Sequence, residues 1–182
     1  LENRLQAGFV SRAVDGLPDE PVTALGSGDL DGDGWFDLVA GGASSLAFFA
    51  GTAKGYQRAT AVGWPPELGH GATALALADL DDDGILDVAA RDARGAFAIR
   101  SRAPTAPLTF GFEQSLLGTG SAAAATHLAI ADLDGDGDLD GVTSGIAGLD
   151  RFENRPAAPT HWVAVRLRGL RQGSAKNNVF GV

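Results

Sequence analysis

The sequence predicts an all-β chain, a partial β-propeller built from four-stranded antiparallel blades. Three features lead there. One segment recurs three times, at offsets of 50 and 53 residues, and a period of that length carrying four short strands marks a propeller blade. The apolar runs are short and end in Gly- and Asp-rich turns, as buried strands do. Glycine is abundant, at 26 of 182 residues, and alanine dominates the apolar set, so neighbouring backbones can approach closely. With 45% hydrophobic and 20% charged residues, the chain can bury a core and is not a disordered tail.

The strands follow in order within each period. Segments 22–30, 72–80 and 125–133 align without gaps. In each, larger residues alternate with small ones: Leu25, Leu75 and Leu128 share a register with Gly28, Ala78 and Ala131. These are predicted inner strands. Each runs into the pattern D-x-D-x-D-G-x-x-D and then a second apolar run, at Leu38–Ala40, Val88–Ala90 and Val142–Thr143. A third stretch begins some 20 residues after the start of each Asp pattern, at Phe48-Phe49, Phe97–Ile99 and Leu149–Phe152. An aromatic opens a fourth in two repeats, at Tyr56 and at Phe110 or Phe112. Trp64 is expected in a blade loop, packing between blades.

The predicted boundaries follow. Residues 20–70, 71–123 and 124–159 form blades, and 160–182 is a separate segment. Leu1-Glu2-Asn3-Arg4 matches Phe152-Glu153-Asn154-Arg155, so residues 1–19 read as the end of a truncated blade. Propellers use about 4–8 blades. Three repeats and part of another are therefore expected to belong to a longer chain, or to a ring that other chains complete.

Charge is concentrated rather than spread. The net charge is −9, from 23 acidic and 14 basic residues, yet 14 of the acids lie in the windows 29–37, 79–87 and 132–140. Without them the chain would be mildly basic. Knots of carboxylate repel phosphate, and no basic cluster is interleaved with aromatics, so nucleic acid is disfavoured as a partner. The absence of cysteine excludes disulfides, zinc–thiolate and iron–sulfur sites and a thiol nucleophile. No apolar run approaches the roughly 18 residues that span a bilayer.

The knots carry the chemistry. Asp29, Asp31, Asp33 and Asp37 occupy positions 1, 3, 5 and 9 of a loop with Gly34 at position 6. Asp79, Asp81, Asp83 and Asp87 repeat the spacing, as do Asp132, Asp134, Asp136 and Asp140. Four carboxylates facing one point repel, which raises their pKa values, and a hard divalent cation removes the conflict. Ca²⁺ accepts about 6–8 oxygens in loose geometry, so four Asp, one backbone carbonyl and water suffice, whereas Mg²⁺ demands a strict octahedron. The expected carbonyls are those at position 7, of Trp35, Ile85 and Asp138. About three Ca²⁺ sites are expected on this reasoning, one per loop. The side chains of Asp82 and Asp138 are expected to face solvent. An Asx-type turn without metal is the bland alternative, but it does not require four Asp in one loop. An EF-hand would need an acid at position 12, where Ala40, Ala90 and Thr143 stand.

These repeats resemble the FG-GAP/VCBS repeats, the calcium-loop blades of integrin α-subunit propellers and many bacterial surface proteins. The resemblance covers roughly residues 1–155. It implies that the Asp loop joins the first two strands of each blade. Gly141 departs from the apolar residue that follows the last Asp in the other repeats, which implies a weaker second strand. Beyond the repeats, His161-Trp162-Val163-Ala164-Val165 and the Gly- and Asn-bearing stretch after it are similar to the opening of an ASPIC/UnbV domain, which follows such repeats in cartilage acidic protein and its bacterial relatives.

The expected function is non-enzymatic: a calcium-stabilised module for adhesion, binding or scaffolding, with a protein or glycan partner. Extracellular calcium modules bind at about 10⁻⁴–10⁻³ M, which points to an extracellular, cell-surface or periplasmic location. The alternatives are an enzyme or accessory domain acting on polysaccharide or phosphoester, and a subunit of a larger extracytoplasmic complex. The G-x-G-x-x-A stretch at Gly118–Ala123 leads into a strand rather than a helix and reads as a linker. His70, His127 and His161 lack a metal-site spacing.

Overall fold

The computed structural model describes residues 2–4, 8–65, 71–92, 95–115, 125–145 and 148–155. The ASPIC/UnbV-like segment and the Gly118–Ala123 stretch lie outside them. Among the described residues the fold is all-β. A short antiparallel hairpin comes first, β1 (Glu2–Arg4) with β2 (Gly8–Val10). The first repeat forms β3 (Ala24–Gly28), β4 (Asp37–Gly41), β5 (Leu46–Ala50) and β6 (Gln57–Val62). The second forms β7 (Ala74–Ala78), β8 (Asp87–Asp92), β9 (Gly95–Arg102) and β10 (Thr109–Ser115). The third contributes β11 (Ala125–Ala131), β12 (Asp140–Gly145) and β13 (Gly148–Phe152). Consecutive strands within each repeat pair antiparallel. Each Asp pattern is the connection between the first two strands of its blade.

Two features differ from the sequence reading. The first two blades are one sheet. β6 and β10 pair in parallel, with Thr60 opposite Thr109 and Val62 opposite Gly111, giving the strand order β3-β4-β5-β6-β10-β9-β8-β7. The Thr60 N–H donates to the Leu108 carbonyl at 2.9 Å where that pairing begins. The sheet curls until its edge strands β3 and β7 touch, which leaves it nearly closed. In addition, β12 is not weak. It spans six residues and pairs on both sides despite Gly141. Ile130 and Phe152 fill the space above that glycine, each 3.7 Å from where a Cβ would stand.

The main core lies between the first two blades. Phe48 on β5 is ringed by Trp64 at 5.4 Å, Phe112 at 5.4 Å and Phe110 at 6.1 Å between ring centroids. Trp64 stands edge-on to Phe112 and Phe97, so it packs between blades as expected. Tilted and edge-on contacts of this kind each contribute about 0.5–1.5 kcal/mol beyond area burial. A smaller cluster joins the second and third blades: Leu80, Ala89 and Ala98 are covered by Leu128, Ile130 and Leu139.

The small residues of the inner strands are what let blades meet. A Cβ on Gly28 would lie 2.5 Å from Leu86 Cδ1, and one on Gly26 would lie 3.3 Å from Leu77 Cγ. Leucines of the second blade thus seat directly on the backbone of the first.

Candidate functional site

Each Asp loop is a tight turn held by its own carboxylates. Position 4 has positive φ in all three copies, at Gly32 (75°), Asp82 (58°) and Gly135 (83°), and so has position 6, at Gly34, Gly84 and Gly137. Glycine takes this conformation freely, and Asp is among the few residues that tolerate it. The position 1 carboxylate closes the turn. Asp29 accepts the N–H groups of Asp33 and Gly34 at 3.0 and 2.9 Å, and Asp79 accepts those of Asp83 and Gly84 at 3.1 and 2.9 Å. Asp132 accepts the N–H groups of Gly135 and Gly137 at 2.7 and 3.2 Å. The position 5 carboxylates of Asp33, Asp83 and Asp136 accept the N–H of position 7, from Trp35, Ile85 and Asp138.

The ninth position does a different job. Asp37, Asp87 and Asp140 are fully buried. One oxygen of each accepts the N–H of position 2: Leu30 at 2.7 Å, Leu80 at 3.0 Å, Leu133 at 3.3 Å. The other accepts an N–H at or just beyond the end of the third strand: Gly51 at 2.7 Å, Ser101 at 2.7 Å, Asn154 at 2.9 Å. Each of these aspartates therefore ties the loop to the third strand of its own blade. The loop spacing alone marks this position only as a ligand.

The folded loops bring three of the four expected acids together in each case, and Asp37, Asp83 and Asp140 stand outside the clusters. Asp29, Asp31 and Asp33 place one oxygen each within 4.8 Å of one another, as do Asp79, Asp81 and Asp87, and Asp132, Asp134 and Asp136. The donor set is all oxygen and all anionic, which suits a hard divalent cation. Asp81 Oδ1 is buried and lacks a hydrogen-bond partner. An orphaned carboxylate oxygen inside an acidic cluster fits a site meant to hold a cation. Of the position 7 residues, Trp35 is exposed, Ile85 is half-buried and Asp138 is buried.

Without a cation the acids carry the strain of this arrangement. Burial pushes the Asp87 carboxyl up to about 6, and pushes that of Asp37 up as well. Burial, followed by the neighbouring charges of Asp33 and Asp83, raises Asp31 and Asp81 respectively. Arginines answer part of this charge in two loops. Arg100 pairs with Asp81, and Arg151 reaches Asp134 at 2.7 Å and Asp140 at 3.0 Å. No sequence signal pointed to these partners, which arrive from β9 and β13.

One expectation is corrected. Asp82 is exposed as expected, but the Asp138 side chain is only 6% exposed. Loops two and three abut where their blades meet, and Asp82 and Asp138 face each other there; burial first, then Asp79 and Asp138, raises the Asp82 carboxyl.

Among the described residues no helix is long and apolar enough to cross a membrane. No curated protein matches the chain. The family model of the FG-GAP-like repeat matches residues 29–90, the stretch that holds the first two Asp loops and the strands between them.

Proposed function

We propose that the chain is a calcium-binding β-propeller module working outside the cytosol, in which the cations are structural and the blades serve adhesion, binding or scaffolding toward a protein or glycan. The observation that supports this reading is an acid cluster in the Asp loop of every blade: three Asp oxygens within 4.8 Å, from positions 1, 3 and 5 in the first and third loops and 1, 3 and 9 in the second. The FG-GAP-like match over residues 29–90 supports it. A cation held by Asp29, Asp31 and Asp33, with Asp37 and the Trp35 carbonyl as the remaining expected donors, fixes the turn between the first two strands. Binding there adds directly to folding free energy.

A catalytic reading finds less support. A cleft of about 470 Å³ beside the first loop brings Asp31 and Asp33 against Thr52, Pro104 and Leu108, with no further titratable group among the described residues. A larger one, about 840 Å³, gathers Arg12, Asp15, Lys54 and Tyr56, a single carboxylate among the described residues where a glycosidase uses two.

Thermal melts in excess calcium and in chelator test the proposal. Each site filled at a hundredfold excess over its Kd contributes about 2.7 kcal/mol, so the melting temperature should fall markedly on chelation. An unchanged melt would overturn the reading.

A further inference from the structure

One side chain joins the second Asp loop to the third. The last Asp of each pattern accepts the N–H of the residue 14 positions further on, which is Gly51, Ser101 or Asn154. These three residues hold the same place in their blades, and their side chains differ in reach. Glycine has none. The Ser101 hydroxyl is buried and lacks a hydrogen-bond partner. The longer Asn154 amide crosses to the neighbouring blade, where Nδ2 donates to the Leu80 carbonyl at 2.6 Å.

Leu80 is the second residue of loop two and stands between Asp79 and Asp81. Its N–H donates to Asp87 Oδ2 at 3.0 Å. The peptide groups on both sides of Leu80 are therefore fixed, one by its own blade and the other by Asn154 of the next. Asp79, Asp81 and Asp87 are the acids of the loop-two cluster. On the other side of the seam, the Asn154 N–H donates to Asp140 Oδ1 at 2.9 Å, and Asp140 Oδ2 accepts the Leu133 N–H at 3.3 Å. Leu133 stands between Asp132 and Asp134, two acids of the loop-three cluster. A continuous hydrogen-bonded path thus runs from one cluster to the other, and Leu139 packs on the core that holds Leu80.

We propose that Asn154 is a positioning residue that couples the second and third loops, so that a cation in either favours a cation in the other. The inference rests on the calcium reading above. A cation in loop three orders Asp140 and with it Asn154, whose amide then holds Leu80 and the carboxylates beside it in place. The second ion meets a loop already ordered and binds more tightly. The sign separates this from charge alone, because two cations repel and would make the second bind more weakly. The coupling is reciprocal. A single hydrogen bond sets its size at about twofold to tenfold.

The amide resonances of Gly34, Gly84 and Gly137 report the loops separately, since each N–H donates to the first Asp of its own loop. Calcium titrations of the whole chain then test the coupling. Asp132→Ala disables loop three and should raise the midpoint at Gly84 about twofold to tenfold while leaving Gly34 unmoved. Asp79→Ala should raise the midpoint at Gly137 by the same factor. Asn154→Ala keeps the backbone N–H that Asp140 accepts and loses only the amide. In that background, and in Asn154→Ser, which copies the second blade, neither aspartate substitution should affect the other loop. Thermal melts in chelator establish that the variants fold. Loops two and three that titrate independently in the wild-type chain overturn the proposal, as does coupling of unchanged size in both Asn154 variants. A calcium response at none of the three glycines overturns the calcium reading itself, and this inference with it.

Discussion

Arg151 reaches the third-position aspartate of its own loop, Asp134, at 2.7 Å. Arg100 does the same for Asp81 in the second blade. The two arrive from different register positions: Arg151 lies opposite Val142, whereas Arg100 follows Ile99, which lies opposite Val88. In the first blade the matching positions on β5 are Phe48 and Ala50, so Asp31 has no such partner there. The three loops therefore share one backbone design and differ in the cation already at hand.

That difference predicts an order of filling. The first loop should take calcium before the others. Arg100→Ala and Arg151→Ala should each tighten binding at their own loop by up to about fivefold, as loss of a partly exposed ion pair implies. Calorimetric titration of the wild-type and variant chains resolves this. Equal affinities in all three loops, unmoved by either substitution, would contradict it.

The division of labour within a loop predicts two classes of aspartate variant. Asp87→Ala strands the buried N–H groups of Leu80 and Ser101. Each unsatisfied group costs about 1–3 kcal/mol, so the variant should lose about 2–5 kcal/mol in urea titrations in chelator, and more in calcium because Asp87 also belongs to the acid cluster of its loop. Asp79 makes its hydrogen bonds in the exposed part of the loop. Asp79→Ala should therefore cost less than about 1 kcal/mol in chelator and should lose most of the stabilisation that calcium adds.

Close approach between blades predicts a steric pair. Gly28→Ala drives a methyl group toward Leu86 Cδ1, 2.5 Å away, and overpacking of this kind costs about 1–3 kcal/mol. Leu86→Ala in the Gly28→Ala background should recover part of that loss. The coupling in a double-mutant cycle is the measurement, and additive effects would show that the two residues do not meet.

The buried carboxylates predict an inverted pH dependence for the metal-free chain. The folded state raises Asp87 from 3.8 to about 6, and raises Asp37 in the same direction. The fold thus binds these protons more tightly than the unfolded chain does. The stability they contribute is complete below the unfolded value of 3.8 and is lost as pH rises through about 6. In metal-free buffer the melting temperature should fall across that interval. In saturating calcium it should rise instead, because the ion binds the deprotonated carboxylates. Melts over a pH series in both buffers separate the two curves.

Strand order within each blade was legible because local features encode it. Short apolar runs, the Asp loop and the recurring period place β3 to β5, β7 to β9 and β11 to β13 where they stand. The acid clusters were legible for the same reason: glycine or aspartate at the positive-φ positions folds neighbouring carboxylates toward one another. The parallel pairing of β6 with β10 was not legible. It joins residues about 50 apart through the meeting of two blades, and neither strand's own pattern names its neighbour. Arg100 and Arg151 were hidden likewise, since they approach the loops from a third strand through sheet register. Asp138 misled because the loop spacing alone marks it as an extra surface acid; only the abutting second loop buries it.

The most direct test of the central claim is the position of the ions. Crystals grown in excess calcium should show anomalous density inside each of the three loops, among Asp29, Asp31 and Asp33, among Asp79, Asp81 and Asp87, and among Asp132, Asp134 and Asp136. Loops without such density, with Arg100 and Arg151 still resting on Asp81 and Asp134, would contradict it.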